Sequence, residues 1–273
     1  MTRPSSRRNP DTAGLERYVI PNLRNACRIM KLLAQNPDGQ KAAEIARTLL
    51  IPVTTTLRIM ATLQLEGFVR KEESRFELGP VLIHLGNASL AGTEIRTAAL
   101  PVLQDLTART DETSHLAVPC DDRALIVAVQ DSSHPLRAAS RPGFLAELHC
   151  SSTGKCFLSF LHRSRIDALF GKSKPTRRTP HTLATLPEIR REAELTAKRG
   201  YSLDDEEFAL GVRCLAAPVF SSDGLPVGAI GITASTVRFT RERIPEMSAI
   251  VTQAAAELSR SLGYHGARRG GRE

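Results

Sequence analysis

Between residues 23 and 66 the apolar positions recur at helical spacing, whereas beyond residue 112 they bunch into short β-branched runs separated by turn residues. Leu23, Ala26, Cys27, Met30 and Leu33 predict an amphipathic first helix. Asn36-Pro37-Asp38-Gly39 ends it, because Pro and Gly cannot continue a regular helix. Ala42, Ile45, Ala46 and Leu49 predict a short second helix. Pro52 suits a first helical turn, and a third helix runs from there to about Glu66, with Thr56, Ile59 or Met60, and Leu63 facing inward. Gly67 stops it. Phe68-Val69-Arg70-Lys71 and Arg75-Phe76-Glu77-Leu78, around a charged turn at Glu72–Ser74, predict two short strands. Three helices followed by a small hairpin make the winged helix-turn-helix pattern.

Residues 80–92 predict a linking helix, apolar at Val81, Leu82, Leu85 and Leu90, and a further helix spans about Glu94–Thr110. Strands are expected at Thr113–Pro119, Ala124–Gln130 and Pro135–Ser140, then a helix from near Thr153. A Lys/Arg/Thr/Pro loop at Lys172–Thr185 leads to a charged helix over Pro187–Arg199. The apolar runs Val212–Phe220 and Pro226–Thr233 flank Ser221-Ser222-Asp223-Gly224 and predict a β-hairpin buried on both faces. Four carboxylates, Asp204 to Glu207, lead into it; on a plain surface they are solvated, beside a buried hairpin they can orient a small ligand. A last helix covers about Arg241 to Leu262. Helices over an antiparallel sheet make an α+β domain.

Composition sharpens the division. The chain has 273 residues and a net charge of +8, of which residues 1–79 hold 13 Lys/Arg against 8 Asp/Glu. Residues 80–263 are almost neutral, with 21 against 20, and the last ten add the remaining excess. A basic N-terminal module fits a polyanion, since phosphate contacts dominate non-specific DNA affinity. Aromatics are only 4% and Trp is absent, which argues against stacking platforms for single strands. With no run of about 18 apolar residues and no apolar stretch after the basic N-terminus, neither a transmembrane helix nor a secretory signal is expected. Cys27, Cys120, Cys150, Cys156 and Cys214 are odd in number and lack CxxC spacing, so reduced thiols in the cytoplasm are expected.

Candidate chemistry follows the same division. Thr54, Thr55 and Arg58 fall opposite the inward set of the third helix, where a recognition helix exposes hydrogen-bonding groups near its N-terminus. Arg58 can pair bidentately with guanine, and the threonines suit phosphates or base edges. Arg70, Lys71 and Arg75 on the hairpin are candidate phosphate contacts. In Leu148–Leu161, Ser151-Ser152-Thr153-Gly154-Lys155 resembles a phosphate loop only superficially, with His149 where Gly is needed and Cys156 where Ser or Thr is needed. No base, nucleophile and oxyanion hole are set together, and no metal-ligand spacing occurs, so neither a catalytic nor a metal site nor a cofactor is expected.

The order of pieces in Gly200–Thr233, the segment His149 to Lys155, and the frame Arg58, Thr62-Leu63, Gly67-Phe68-Val69 and Phe76-Glu77-Leu78-Gly79 resemble the IclR family of bacterial transcription regulators. The resemblance covers roughly Leu23 to Leu262. It implies a winged helix-turn-helix DNA-binding domain at 21–79, a linking helix at 80–92 and a GAF-like effector-binding domain with an antiparallel sheet at 93–263; the aperiodic Pro, Ser, Arg and Gly content at the two ends predicts a flexible basic tail at 1–20 and a disordered basic tail at 264–273. The implied partners are a double-stranded DNA operator, a small-molecule effector (an organic acid), and further copies of the chain in a homodimer or tetramer, without a membrane. Carried over by position, Ser152, Thr153, Asp204, Cys214, Gly231 and Thr233 are the effector-binding residues; Gly231 stands where other members carry Ser, which removes a donor or makes room for a bulkier ligand. Two other classes stay open: a thiol sensor using Cys150 or Cys156, and an enzyme with an ancillary DNA-binding domain.

Overall fold

The computed structural model describes residues 16–91, 94–138, 140–171 and 175–266. The expected tails therefore lie largely outside the described residues, at 1–15 and 267–273, as do 172–174 of the basic loop. The chain divides into two compact units, one ending at Ser89 and the other beginning at Leu90.

The first unit holds α1 (Pro21–Ala34), α2 (Ala42–Leu49), α3 (Val53–Leu65) and the antiparallel hairpin β1 (Val69–Glu72) and β2 (Arg75–Leu78), followed by α4 (Val81–Ala91). Ile29, Leu33, Ile45, Ile51, Ile59, Met60, Leu63, Val69 and Phe76 form its core. The expected inward positions of α3, Thr56 and Leu63, are buried, and so are both of the alternatives Ile59 and Met60. On α1 the buried stripe is Ala26, Ile29 and Leu33, while Leu23 and Cys27 face solvent. The inward face is thus rotated from the predicted one towards the β-branched Ile29, which meets α2 and α3. A bridge between Gln40 and Phe76 ties the turn before α2 to the hairpin, with N–H···O distances of 3.1 and 2.9 Å. Gly39 permits this approach: its φ is +70°, and a Cβ there would stand 2.8 Å from the Glu77 side chain.

The second unit is built on a six-stranded antiparallel sheet in the order β5-β4-β3-β8-β7-β6. The strands are β3 (Thr113–Cys120), β4 (Arg123–Gln130), β5 (Leu145–Glu147), β6 (Ser202–Asp205), β7 (Val212–Phe220) and β8 (Pro226–Ser235). One face is covered by α5 (Glu94–Thr110) and α9 (Ile244–Ser261), through Leu103 and Leu106 against Val251 and Leu258. The other is covered by α6 (Ser152–Phe160), α7 (Ile166–Phe170) and α8 (Leu186–Arg199), through Phe157, Leu158 and Ile189. Covered on both sides, β7 and β8 are buried along nearly their whole length, as their unbroken apolar runs predict.

Three elements depart from the expectations. Among its described residues, Pro135–Ser140 forms no strand; Leu136 is 84% exposed and its carbonyl accepts from Arg238 Nη1 at 3.0 Å. The chain instead turns at Arg141-Pro142-Gly143-Phe144 and pairs with β4 over Leu145–Glu147. Second, Asp204 and Asp205 do not merely precede the hairpin; they lie within β6 and pair with Cys214 and Arg213. Third, Tyr264, in the expected C-terminal tail, packs its ring 5.1 Å from that of Phe220.

Candidate functional site

The first unit presents its polar chemistry outward. Pro52 opens α3 without a side-chain cap, and the first intrahelical bond is Thr56 N–H to the Pro52 carbonyl at 2.9 Å, so the N–H groups before it have no helical acceptor. Thr54 and Arg58 are exposed and Thr55 half-buried on that turn. No ion pair engages Arg58 among the described residues. Of the hairpin cations, Arg70 is paired with Glu77 at 2.8 Å, and Arg75 Nη1 donates to the Gly39 carbonyl at 2.9 Å. Lys71 is exposed, with its ammonium 5.8 Å from the Phe76 ring centre. Thus neither Arg58 nor Lys71 is ion-paired among the described residues, whereas Arg70 is held by its carboxylate.

The second unit encloses its chemistry. Antiparallel register places Asp204 opposite Cys214 and Cys214 opposite Thr233, so three residues distant in sequence form one row across β6, β7 and β8. Ser152 and Thr153 come to the same place from the start of α6, and all five line one cavity of about 290 Å³. Ser151 caps that helix: its Oγ accepts from Gly154 N–H at 3.1 Å and donates to the Glu147 carbonyl at 2.6 Å. Gly154 is required by contact, since a Cβ would stand 2.1 Å from the Glu147 carbonyl oxygen. The first-turn N–H groups of Ser152 and Thr153, with the positive end of the helix dipole, favour an anion here.

Gly231 does not line the cavity. A Cβ at this position would meet the Leu215 carbonyl oxygen at 2.3 Å and Ala216 at 2.9 Å. The expected extra room at Gly231 is therefore taken up by close approach of β7 and β8.

Sequence reasoning missed His115, Ser140 and Arg141, which also line the cavity. Thr233 Oγ1 lies 3.3 Å from Ser140 Oγ and 3.4 Å from His115 Nδ1, a hydrogen-bonding relay along the wall. Burial lowers the His115 pKa to about 4, so its imidazole is neutral at neutral pH. Arg141 is exposed at the rim and is the one cation among the lining residues. Its turn is pinned to β4 by Gly143 N–H to the Ile126 carbonyl at 2.8 Å and Ile126 N–H to the Phe144 carbonyl at 2.9 Å. Phe144 and Phe208 contribute an edge-to-face pair 5.8 Å apart, and Ile126, Ala146 and Val212 complete the apolar wall. His115 follows Thr113 and Ser114 in β3 and does not stand out there, and Ser140 and Arg141 carried no signal, because only the turn brings them in.

Asp204 is the one carboxylate in the lining. Burial raises its pKa to about 6, opposed by the Lys155 charge and by the N–H groups of Glu207 and Phe208, which donate to Oδ1 at 2.8 and 3.1 Å. Burial likewise pushes the Cys214 thiol up, with the Asp204 charge adding to it.

Cys150 and Cys156 are fully buried, and burial raises both thiols far above their ordinary value. A thiol sensor needs an accessible thiolate, so neither residue suits that chemistry. His149, beside Cys150, has its Nε2 2.9 Å from the Thr176 carbonyl. Among the described residues no group of three His, Cys, Asp or Glu could hold a metal ion, and no single helix is long and apolar enough to cross a membrane.

Comparison with known proteins covers both units. Residues 87–260 match the bacterial transcriptional regulator IclR C-terminal domain, and residues 23–73 match the IclR helix-turn-helix domain. The transcriptional repressor IclR of Escherichia coli (strain K12) is 31% identical over 253 residues, which span 91% of this chain and 92% of that protein. The HTH-type transcriptional regulator KdgR of Dickeya chrysanthemi is 29% identical over 224 residues, spanning 81% of this chain and 73% of that protein. The crystal structure of the Thermotoga maritima IclR matches with a TM-score of 0.65 at 31% identity, covering 89% of this chain and 99% of that one.

Proposed function

The chain belongs to the IclR family of bacterial transcriptional regulators, with a helix-turn-helix that binds DNA and a C-terminal effector domain, and we propose that a small organic acid in the C-terminal cavity sets its affinity for operator DNA. The observation that carries this reading is the convergence of Ser152, Thr153, Asp204, Cys214 and Thr233 on one cavity. Its volume, about 290 Å³, sits near the lower end of the range of roughly 300–1,000 Å³ typical of ligand sites. A short hydroxy, keto or aromatic acid fits that size. Its carboxylate is held by the N–H groups of Ser152 and Thr153, with Arg141 adding charge at the rim. The neutral His115–Thr233–Ser140 relay and Asp204 receive the polar groups of the other end. Phe144, Phe208 and Ile126 cover the apolar body.

On the DNA side, Thr54, Thr55 and Arg58 read base edges from α3, and Arg70, Lys71 and Arg75 bind phosphates. The protein acts in the cytoplasm as a homodimer or tetramer, so that two recognition helices engage two half-sites. Ligand binding alters operator affinity only to the extent that the acid prefers one arrangement of the paired domains. A thermal-shift panel of short hydroxy, keto and aromatic acids tests the cavity. An acid that raises the melting temperature in the parent protein but not in Thr233→Val supports the reading; equal stabilisation of both places binding elsewhere.

A further inference from the structure

Lys155 lies on α6 behind the cavity, is 2% exposed, and has no part in the reading above. Its Nζ meets Glu207 Oε1 in a short contact and Glu192 Oε1 of α8 at 3.4 Å. Glu192 is matched again by Arg199 at 2.7 Å. Glu207 stands one step from the cavity, because its own N–H donates to Asp204 Oδ1. Thr179 and Thr182 hold the same segment from the other side, donating to the carbonyls of Glu206 and Glu207 at 2.7 Å each. The remaining carboxylate oxygen of Glu207, Oε2, is buried without a hydrogen-bond partner.

In this cluster three carboxylates, Glu192, Asp204 and Glu207, face two cations, Lys155 and Arg199. Around it stand the Cys214 thiol from β7, and His149 and Cys150 ahead of α6. Glu147 of β5 is matched separately by Arg178 and Arg123. One proton would complete the buried set and give the orphaned oxygen a role, since close carboxylates in a dry site do not both ionise freely. Burial raises the Glu207 pKa to about 7, with the Asp204 charge contributing. A buried ion pair adds little net stability, because desolvation offsets the attraction; its placement behind Asp204 points to another purpose.

We propose that Lys155 and Glu207 are positioning residues for the effector cavity: their ion pair fixes segment 204–208 so that Asp204 presents its carboxyl to the ligand, and the cluster of three carboxylates and two cations carries one proton. An anionic ligand then meets a floor that can be neutral. The inference rests on the cavity being the effector site, but its test needs no ligand.

The experiment is a ¹³C carboxyl titration of the full-length protein labelled at Asp and Glu, with hydrogen exchange at the Glu207 and Phe208 amides. In the parent protein Asp204 and Glu207 should titrate as a coupled pair in two steps. Lys155→Met should raise the Asp204 midpoint by about one pH unit or more and speed exchange of the two amides about tenfold. Glu207→Gln, which keeps the side-chain shape, should leave Asp204 titrating in a single step at lower pH. Lys155→Met/Glu207→Met keeps Glu192 paired with Arg199, so it serves where the single Lys variant does not fold; it too should give a single step with faster amides. Unchanged Asp204 titration and amide protection in Glu207→Gln and the double variant would overturn the proposal. That result alongside acid binding in the cavity would leave the effector reading standing, whereas the expected shifts with no acid bound would count against the effector reading alone.

Discussion

The side chains proposed to meet DNA stand on one helix turn and one hairpin of the first unit, within residues 54–75, and all but the half-buried Thr55 are exposed. The polar side chains lining the cavity of the second unit come from residues 115 to 233, on separate strands, a turn and a helix start, and all but Arg141 are at least partly buried. The first arrangement tolerates change at each residue, because water replaces what is lost. The second does not where its polar groups hold one another, as His115, Thr233 and Ser140 do, because removing one leaves its neighbour unpaired.

This contrast can be broken most forcefully through the cores. Met60→Ala, in the core of the small unit, should cost about 2–5 kcal/mol and abolish operator binding, while thermal-shift binding of acids by the effector unit persists. Loss of both activities together would mean that the units do not fold separately. Gly231→Ser comes next. Because a Cβ strikes the Leu215 carbonyl, destabilisation of about 1–3 kcal/mol is expected instead of a new ligand contact; chemical denaturation measures it.

Arg58→Ala should weaken discrimination between operator and random DNA by about 1–3 kcal/mol, whereas Lys71→Ala should weaken both alike and lower the salt slope by about one. Equal losses for Arg58→Ala on both DNAs would make it a phosphate contact. Asp204 gives the pH arm. Its folded pKa, about 6, lies above its unfolded value, so the native state takes up the proton first. Stability relative to Asp204→Asn should therefore rise as pH falls through about 6 towards 4, by on the order of 2 kcal/mol, and be lost again as pH rises. A flat difference across that window would remove the buried charge from the account. Arg141→Ala, at an exposed rim, should have the smallest effect, about 1 kcal/mol in acid affinity by calorimetry.

The same contrast governs what could be read in advance. The inward face of α3 and the buried hairpin β7–β8 were legible, because one period or one unbroken apolar run specifies each. On α1 the predicted inward set included Leu23 and Cys27 and omitted Ile29, and only packing against α2 and α3 shows that Ile29 is buried while those two are not. β6 was hidden by its charges; Asp205 is tolerated there because Arg213 and Arg241 bond it at 2.6 and 3.0 Å. β5, three residues long, has too few positions to show a period. Asp204, Cys214 and Thr233 came from resemblance, and strand register explains why such distant residues meet. His115, Ser140 and Arg141 enter the cavity through β3–β8 pairing and a turn clipped to β4, long-range facts that local pattern does not carry.

The most direct test of the central claim is operator affinity, by fluorescence anisotropy on DNA from upstream of the protein's own gene, with and without a saturating acid that Thr233→Val fails to bind. A change of about fivefold or more is expected, the coupling that distinct ligand preferences for two arrangements produce. Unchanged affinity with the cavity filled would contradict it.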